Sequence, residues 1–254
     1  MLAWRSPNFQ QAKVVTLSRA LYGSPYTSVF SRKHVAKADR MKKLPARKTA
    51  ATTADTPPLD QAAWLRAAAD AIAEDGFNGT RILPLSKRLG VTRGSFYWHF
   101  ADHAAFVDAF IDYWRDQQLR AVKAFQHETA DPVKAYARLL DVVLTDSAPE
   151  LKRLKVEFAL RGYARRDPVA AKAVATVDRA RTNLFIPIVE GLADSTRDAE
   201  SFAHLLLVQI SGAQHAIAGP TCKPAVLAGM KRAMLQSLEA LVAMRARRSK
   251  RLVL

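Results

Sequence analysis

From Leu59 onward, apolar residues recur at intervals of three and four, which is the spacing of one face of an α-helix. Alternation of the kind that predicts a β-strand is nearly absent from the same stretch. Asp131 and Asp167 each precede a proline, an arrangement typical of a helix start. The sequence therefore predicts an all-α fold, with helices near 103–127, 132–146, 150–164, 168–191, 198–218 and 224–246.

The first helix of this region has recognisable signals at both ends. Asp60 can accept hydrogen bonds from the first-turn N–H groups, and Gly76 can end the helix. Pro187, in contrast, lies inside a helical pattern, so we expect a kink near it.

Composition excludes several classes of protein. The single cysteine, Cys222, excludes an internal disulfide framework and a multi-cysteine metal site, and its rarity fits the cytoplasm. Cys222 and His215 are seven residues apart, with Gly219 and Pro220 between them and no third orienting residue, which argues against a nucleophile. No stretch of 18 apolar residues predicts a membrane span. We therefore expect a cytoplasmic protein without enzymatic activity, cofactor or metal.

The net charge of +16 suggests a polyanionic partner, but the charge is uneven. Residues 1–58 carry eleven bases and two acids, and five more bases follow from Arg245 onward. The body between these ends is nearly balanced. Residues 1–58 therefore form a predicted basic, flexible extension and 247–254 a basic tail.

The extension at 1–58 allows three interpretations. It could be a basic arm on DNA, a targeting segment, or sequence translated from too early a start, with Met41 as the real first residue. These alternatives stay open, as does the question of whether residues 1–40 are translated.

Residues 80–100 carry the strongest functional signal. A short helix begins at Thr80 or Arg81, Gly90 allows a sharp turn, and Thr92 caps a second helix. Phe96 and Phe100 fix the second helix to the core, which leaves a polar and aromatic surface outside. This layout is typical of a helix-turn-helix.

Residues 76–80 (GFNGT) and 90–100 (GVTRGSFYWHF) resemble the N-terminal domain of TetR-family transcriptional regulators. The resemblance covers roughly residues 60–115, and a further stretch at 157–168 resembles one branch of the family. It departs from the family pattern at Trp98, where a tyrosine or histidine is common, and at His103, where a lysine is usual.

The resemblance implies a homodimer that places two recognition helices in successive major grooves of a palindromic double-stranded DNA operator. Arg93 is the best candidate for reading guanine, because its geometry is bidentate. The expected DNA contacts are Thr80, Arg81, Thr92, Arg93, Gly94, Ser95, Tyr97, Trp98, His99 and His103.

The resemblance also implies a three-helix DNA-binding domain at 59–118 and a helical ligand-binding and dimerisation domain at 119–246. The candidate pocket residues for an unknown small-molecule effector are Tyr113, Trp114, Phe158, Tyr163, Phe185, Gln209 and His215. The candidate dimer interface consists of Phe202, Leu205, Val208, Gly212, Leu227, Met234 and Leu238.

The sequence thus predicts a dimeric regulator, a repressor that its effector releases from the operator. Two alternatives remain: a non-specific architectural DNA-binding protein that uses its basic termini, and an α-helical small-molecule carrier. The sequence does not identify the effector, the operator or the sign of regulation.

Overall fold

The computed structural model describes residues 59–125, 131–219 and 222–252, with the backbone alone for 248–252. Within these ranges the chain is helical, and no strand is present. The interpretations of residues 1–58 lie outside the described residues. The helices are α1 (Gln61–Asp75), α2 (Ile82–Arg88), α3 (Arg93–Tyr97), α4 (His103–Phe125), α5 (Pro132–Val143), α6 (Ala148–Tyr163), α7 (Pro168–Val189), α8 (Thr196–Ala218) and α9 (Pro224–Leu252), and short 3-10 turns cover Gly76–Thr80 and Glu190–Leu192. The predicted all-α fold is confirmed.

The helix starts have the caps that the sequence predicts. Asp60 accepts a hydrogen bond from the Ala63 N–H at 2.7 Å, and Gly76 ends α1 with a φ of 64°. Asp131 and Asp167 cap α5 and α7 in the same way. The cap residues therefore fix where these helices enter the fold.

Two helix ends differ from the predicted ones by more than two residues. Helix α5 ends at Val143, three residues early, and α9 continues to Leu252 through most of the predicted basic tail. The extension of α9 is reasonable because arginine, lysine and leucine are good helix formers. Helix α7 runs through Pro187, and the kink there stays a prediction.

Two hydrophobic cores organise the described chain. The first joins α1 to α4 with the carboxyl-terminal half of α6 and the first half of α7. The second joins α5, the end of α7, α8 and α9. Because α6 and α7 contribute to the first core, the core of the predicted 59–118 domain includes residues beyond its boundary at 118. No helix in the described part of the chain is long and apolar enough to cross a membrane.

Candidate functional site

Helices α2 and α3 are joined by a turn that only a flexible residue can make. Gly90 has a φ of 66°, in the left-handed region that favours glycine. The Val91 N–H donates to the Ser86 carbonyl at 3.0 Å and closes the turn. Thr92 occupies the N-cap position of α3, but its side chain makes no capping hydrogen bond. The result is a helix-turn-helix.

Helix α3 has five residues, too few to be stable alone, so packing must hold it. Phe96 is fully buried, and its ring meets the edge of Trp64 with centroids 5.4 Å apart. Phe100 and Phe106 surround the same ring at 5.2 and 5.3 Å. This aromatic cluster fixes the inner face of α3.

The opposite face of α3 is open to solvent. Trp98 is 88% exposed and Tyr97 53% exposed, which is unusual for large aromatic side chains. Beside them lie the exposed residues Thr92, Arg93 and Gly94. Ser95 and His99 are partly exposed. Sequence reasoning predicted this outward polar and aromatic surface; contact with DNA stays a prediction.

Two glycines in this region serve different purposes. A Cβ on Gly79 would lie 2.6 Å from the Ala71 carbonyl oxygen, so the 3-10 turn can approach α1 only without a side chain. A Cβ on Gly94 would meet nothing closer than Thr92 Oγ1 at 3.6 Å. The fold therefore requires glycine at 79, whereas at 94 it leaves room outside the helix.

Thr80 requires a correction to the list of predicted DNA contacts. It is 2% exposed, and its hydroxyl donates to the Phe77 carbonyl at 2.7 Å. His103 Nε2 lies 3.1 Å from both the hydroxyl and the carbonyl oxygen of Thr80. A buried hydroxyl cannot reach a phosphate, so Thr80 instead orients His103, which is exposed at the start of α4.

Three basic side chains on this surface have no acidic partner among the residues that the structure describes. Arg81, Lys87 and Arg93 are exposed and form no ion pair there. Nearby, Arg88 pairs with Glu74 and Arg66 pairs with Asp60. The three unpaired cations can meet a polyanion without first breaking a salt bridge.

The segment that forms this surface is similar to a known protein family. Residues 65–110 match the family model described as bacterial regulatory proteins, tetR family. The matched segment runs from α1, across the helix-turn-helix, into the first part of α4. The resemblance seen in the sequence is therefore confirmed, and α2 and α3 both lie within the segment that is similar to this family.

Solved structures of transcriptional regulators share the fold of this chain. One from Rhodococcus sp. Rha1 is 19% identical, with a TM-score of 0.62, and the match covers 73% of this chain and 97% of that one. A TetR transcription regulator from Haloarcula marismortui is 18% identical, with a TM-score of 0.54, and the match covers 71% of this chain and 95% of that one. A transcriptional regulator from Saccharomonospora viridis, solved in complex with choline, is 17% identical, with a TM-score of 0.57. That match covers 70% of this chain and 95% of the other. No curated protein sequence matches the chain.

The seven predicted pocket residues do not line one cavity, which is a correction. Trp114, Tyr113 and Tyr163 pack on the first core, where Tyr163 stacks on Phe77 with centroids 4.2 Å apart. The remaining four lie elsewhere in the helical half: Phe158 stacks on His215, Gln209 accepts a hydrogen bond from Tyr136, and Phe185 lines an internal cavity. Positions 113 and 114 lie one turn too early on α4 to reach that cavity.

The internal cavity has a volume of about 70 Å³ and is bounded by α4 to α8. Its walls are mainly apolar, but they include polar residues that sequence reasoning missed, namely Gln118, Arg153, Arg181, Ser211 and Gln214. The spacing of Arg153, Glu157 and Arg161 at intervals of four was the available signal, because it places all three on one helical face.

Beside the cavity lies a buried ion network centred on Glu157. Its carboxylate accepts hydrogen bonds from Arg153, Arg161 and Arg181 at 2.6 to 3.1 Å. Burial alone would raise the pKa of Glu157, but the three guanidinium groups hold that pKa far below its usual range. Glu157 is therefore ionised and joins α6 to α7.

The candidate dimer residues fall into two groups. Leu205 and Val208 are 48% and 66% exposed on α8, beside the exposed Gly212. Leu227 and Leu238 are instead buried in the chain's own second core, because α9 packs against α5. Their burial corrects the predicted interface, since neither has a side chain left to offer a partner. The other two, Phe202 and Met234, are partly buried.

Proposed function

We propose that this chain is a homodimeric transcriptional repressor that binds a palindromic operator in double-stranded DNA. The observation that carries the proposal is the open face of α3, where Arg93 stands exposed and unpaired beside Tyr97 and Trp98. Guanidinium groups read guanine in the major groove, and exposed aromatic side chains can pack on sugar and phosphate. The buried Phe96 holds α3 rigid for this contact.

Each side chain has a distinct part in the proposed contact. Arg93 reads a base edge, and Gly94 lets the α3 backbone approach the duplex, because no group of the fold fills the space beside it. Arg81, Lys87 and His103 contact phosphates on either side. The further residues proposed to contact DNA are Thr92, Ser95, Tyr97, Trp98 and His99.

The proposed dimer uses the exposed apolar residues of α8 and α9. Leu205, Val208 and Gly212 lie on α8, and a shallow groove between the helices is lined by Met230 and Met234. Covering such side chains removes apolar surface from water. A two-fold dimer would hold the two α3 helices about 34–36 Å apart, one turn of DNA.

The proposed effector site is the internal cavity, in the helical half that we assign to 119–246. The Saccharomonospora viridis regulator, whose fold is similar, was solved in complex with choline, which supports a small-molecule site in this kind of fold. Effector binding would release the operator if the effector favoured a dimer in which the two α3 helices lie at a different distance from each other.

Selection of bound sequences from a random DNA pool tests the proposal. We expect a palindromic consensus with half-sites one helical turn apart, and a dimer mass by analytical ultracentrifugation. Enrichment without a consensus would favour the architectural alternative, and no DNA binding at all would favour the carrier. A reporter placed behind the selected operator then distinguishes a repressor from an activator.

A further inference from the structure

The internal cavity offers a specific set of hydrogen-bonding groups, and its chemistry narrows the effector class. We propose that the cavity binds a small, uncharged, mainly apolar molecule whose polar group accepts hydrogen bonds from Gln118 and Arg181. This inference rests on the proposed function only in treating the cavity as the effector site. Phe125, Phe185 and Ile210 supply part of its apolar wall.

The amide of Gln118 has a fixed orientation. Its Oε1 accepts hydrogen bonds from Arg153 at 3.2 Å and from Arg181 at 2.9 Å, and guanidinium groups can only donate. The Nε2 group therefore points away from both arginines, and it has no hydrogen-bond partner in the described part of the chain. Because Gln118 lines the cavity, its N–H groups face that space, where water or a ligand can accept their hydrogen bonds.

Arg181 has donors left over as well. A guanidinium group has five N–H bonds, and Arg181 directs three of them to Glu157 and Gln118. Its Nε and one hydrogen on Nη1 have no partner within the described ranges. Together with the Gln118 amide, they form a group of donors at the cavity wall.

The charges around these donors are already balanced. Besides Glu157, which binds all three arginines, Arg153 pairs with Glu150 and Arg161 with Asp178. Within the described part of the chain, three guanidinium groups thus face three carboxylates. An additional buried anion would lie close to Glu157 without a cation of its own, and an ammonium group placed beside Gln118 and Arg181 would meet donors on that wall. A neutral acceptor such as a carbonyl satisfies the donors without adding charge.

The opposite wall of the cavity tolerates a second polar atom. Ser211 Oγ has no hydrogen-bond partner in the part of the chain that is described, although Ser86 and Ser201 donate to the carbonyl four residues back. Gln214 donates to the Val143 carbonyl at 3.3 Å, which leaves its own carbonyl oxygen available. The remainder of the wall is apolar, so most of the ligand must be apolar too.

The volume sets the size of the first probes. At about 70 Å³ the cavity is smaller than the engineered cavity of about 150 Å³ that accepts benzene. Butan-2-one, butanoate and butylammonium have four-carbon chains and differ in the charge of the polar group. Their binding to the full chain is measured by ligand-observed NMR titration, in the absence of DNA.

We expect butan-2-one to bind at least about tenfold more tightly than either charged probe. Gln118→Met keeps the length of the side chain and removes the amide, and it should weaken butan-2-one binding about five- to tenfold. Gln236→Met, on the exposed surface of α9, is the matched control and should leave binding unchanged. Ser211→Ala, a smaller change, should preserve the order of the three probes.

Tighter binding of butanoate or butylammonium would overturn the proposal, as would equal binding of butan-2-one to the wild type and to Gln118→Met. Failure of all three probes would also overturn it. These results are independent of DNA: a chain that selects an operator but ignores butan-2-one refutes the cavity chemistry alone. A chain that binds the ketone but no DNA refutes the regulator instead.

Discussion

The molecule holds two groups of arginines whose surroundings are opposite. On the helix-turn-helix, Arg81 and Arg93 are exposed and have no carboxylate partner in the described chain. In the helical half, Arg153, Arg161 and Arg181 are largely buried and share Glu157, with Glu150 and Asp178 as further partners. One group has its charge available to a partner, and the other has its charge neutralised inside the chain.

This difference teaches that the number of basic residues says little about their function. An exposed cation keeps its hydration and can exchange it for a phosphate or a base edge, whereas a buried one must be paired within the fold. The first group is suited to recognition, and the second holds α6 to α7 beside the cavity. Three changes of charged residues would break or sharpen this comparison, and one glycine substitution tests the packing that positions the exposed group.

The largest effect is expected from Glu157→Gln, which leaves three arginines around a neutral amide. Loss of one partner from a buried ion network costs about 3–5 kcal/mol. Glu74→Gln breaks the exposed pair with Arg88 and should cost at most about 1 kcal/mol. The free energy of unfolding from urea titration measures both, and equal losses would contradict the contrast between buried and exposed pairs.

Acidification provides a second measurement on the same pair of variants. The pKa of Glu157 is lowered in the folded state, so its stabilisation is complete above the unfolded value of about 4.3 and is lost as the pH falls further. The stability gap between wild type and Glu157→Gln should therefore narrow in acid. A gap that widens below about pH 4 would show that the sign is reversed.

Gly79→Ala should have the next largest effect. Its new Cβ would lie 2.6 Å from backbone of α1, and such overpacking costs about 1–3 kcal/mol. Gly94→Ala is the matched control, because its Cβ meets nothing closer than 3.6 Å. We expect Gly94→Ala to keep its stability in thermal unfolding but to weaken operator binding, since the methyl group lies on the proposed DNA face. Equal unfolding free energies would contradict this assignment of the two glycines.

The sequence predicts those features that depend on neighbouring residues, and it does not predict those that depend on contacts between distant helices. The capping residues and the Gly90 turn act locally, so the helix starts and the helix-turn-helix were predictable. The cavity brings together Gln118, Arg153 and Arg181 from three helices, and no local pattern specifies which faces meet. Thr80 failed as a predicted contact for the same reason, since the 3-10 turn that carries it packs against α1 and against α6, which is distant in the sequence.

Arg93→Ala tests the exposed arginine that is proposed to read a base. It should weaken binding to the selected operator by about 1–3 kcal/mol and leave binding to random DNA nearly unchanged. Arg88→Ala removes a neighbouring arginine that already pairs with Glu74, and it should change neither affinity appreciably. Fluorescence anisotropy measures the affinity of each variant for operator and for random DNA. Equal losses of affinity for the two DNAs would refute base reading by Arg93.

Lys87→Gln should produce the smallest change, because a phosphate contact carries no sequence information. Operator and random DNA should lose affinity alike, and the slope of log affinity against log salt should decrease in magnitude by about one. Lys134→Gln is the control, since Lys134 is exposed on α5 and pairs with Asp131. A Lys87 variant with an unchanged salt slope would mean that this exposed, unpaired cation does not touch the duplex, and that exposure alone does not place a residue on the DNA face.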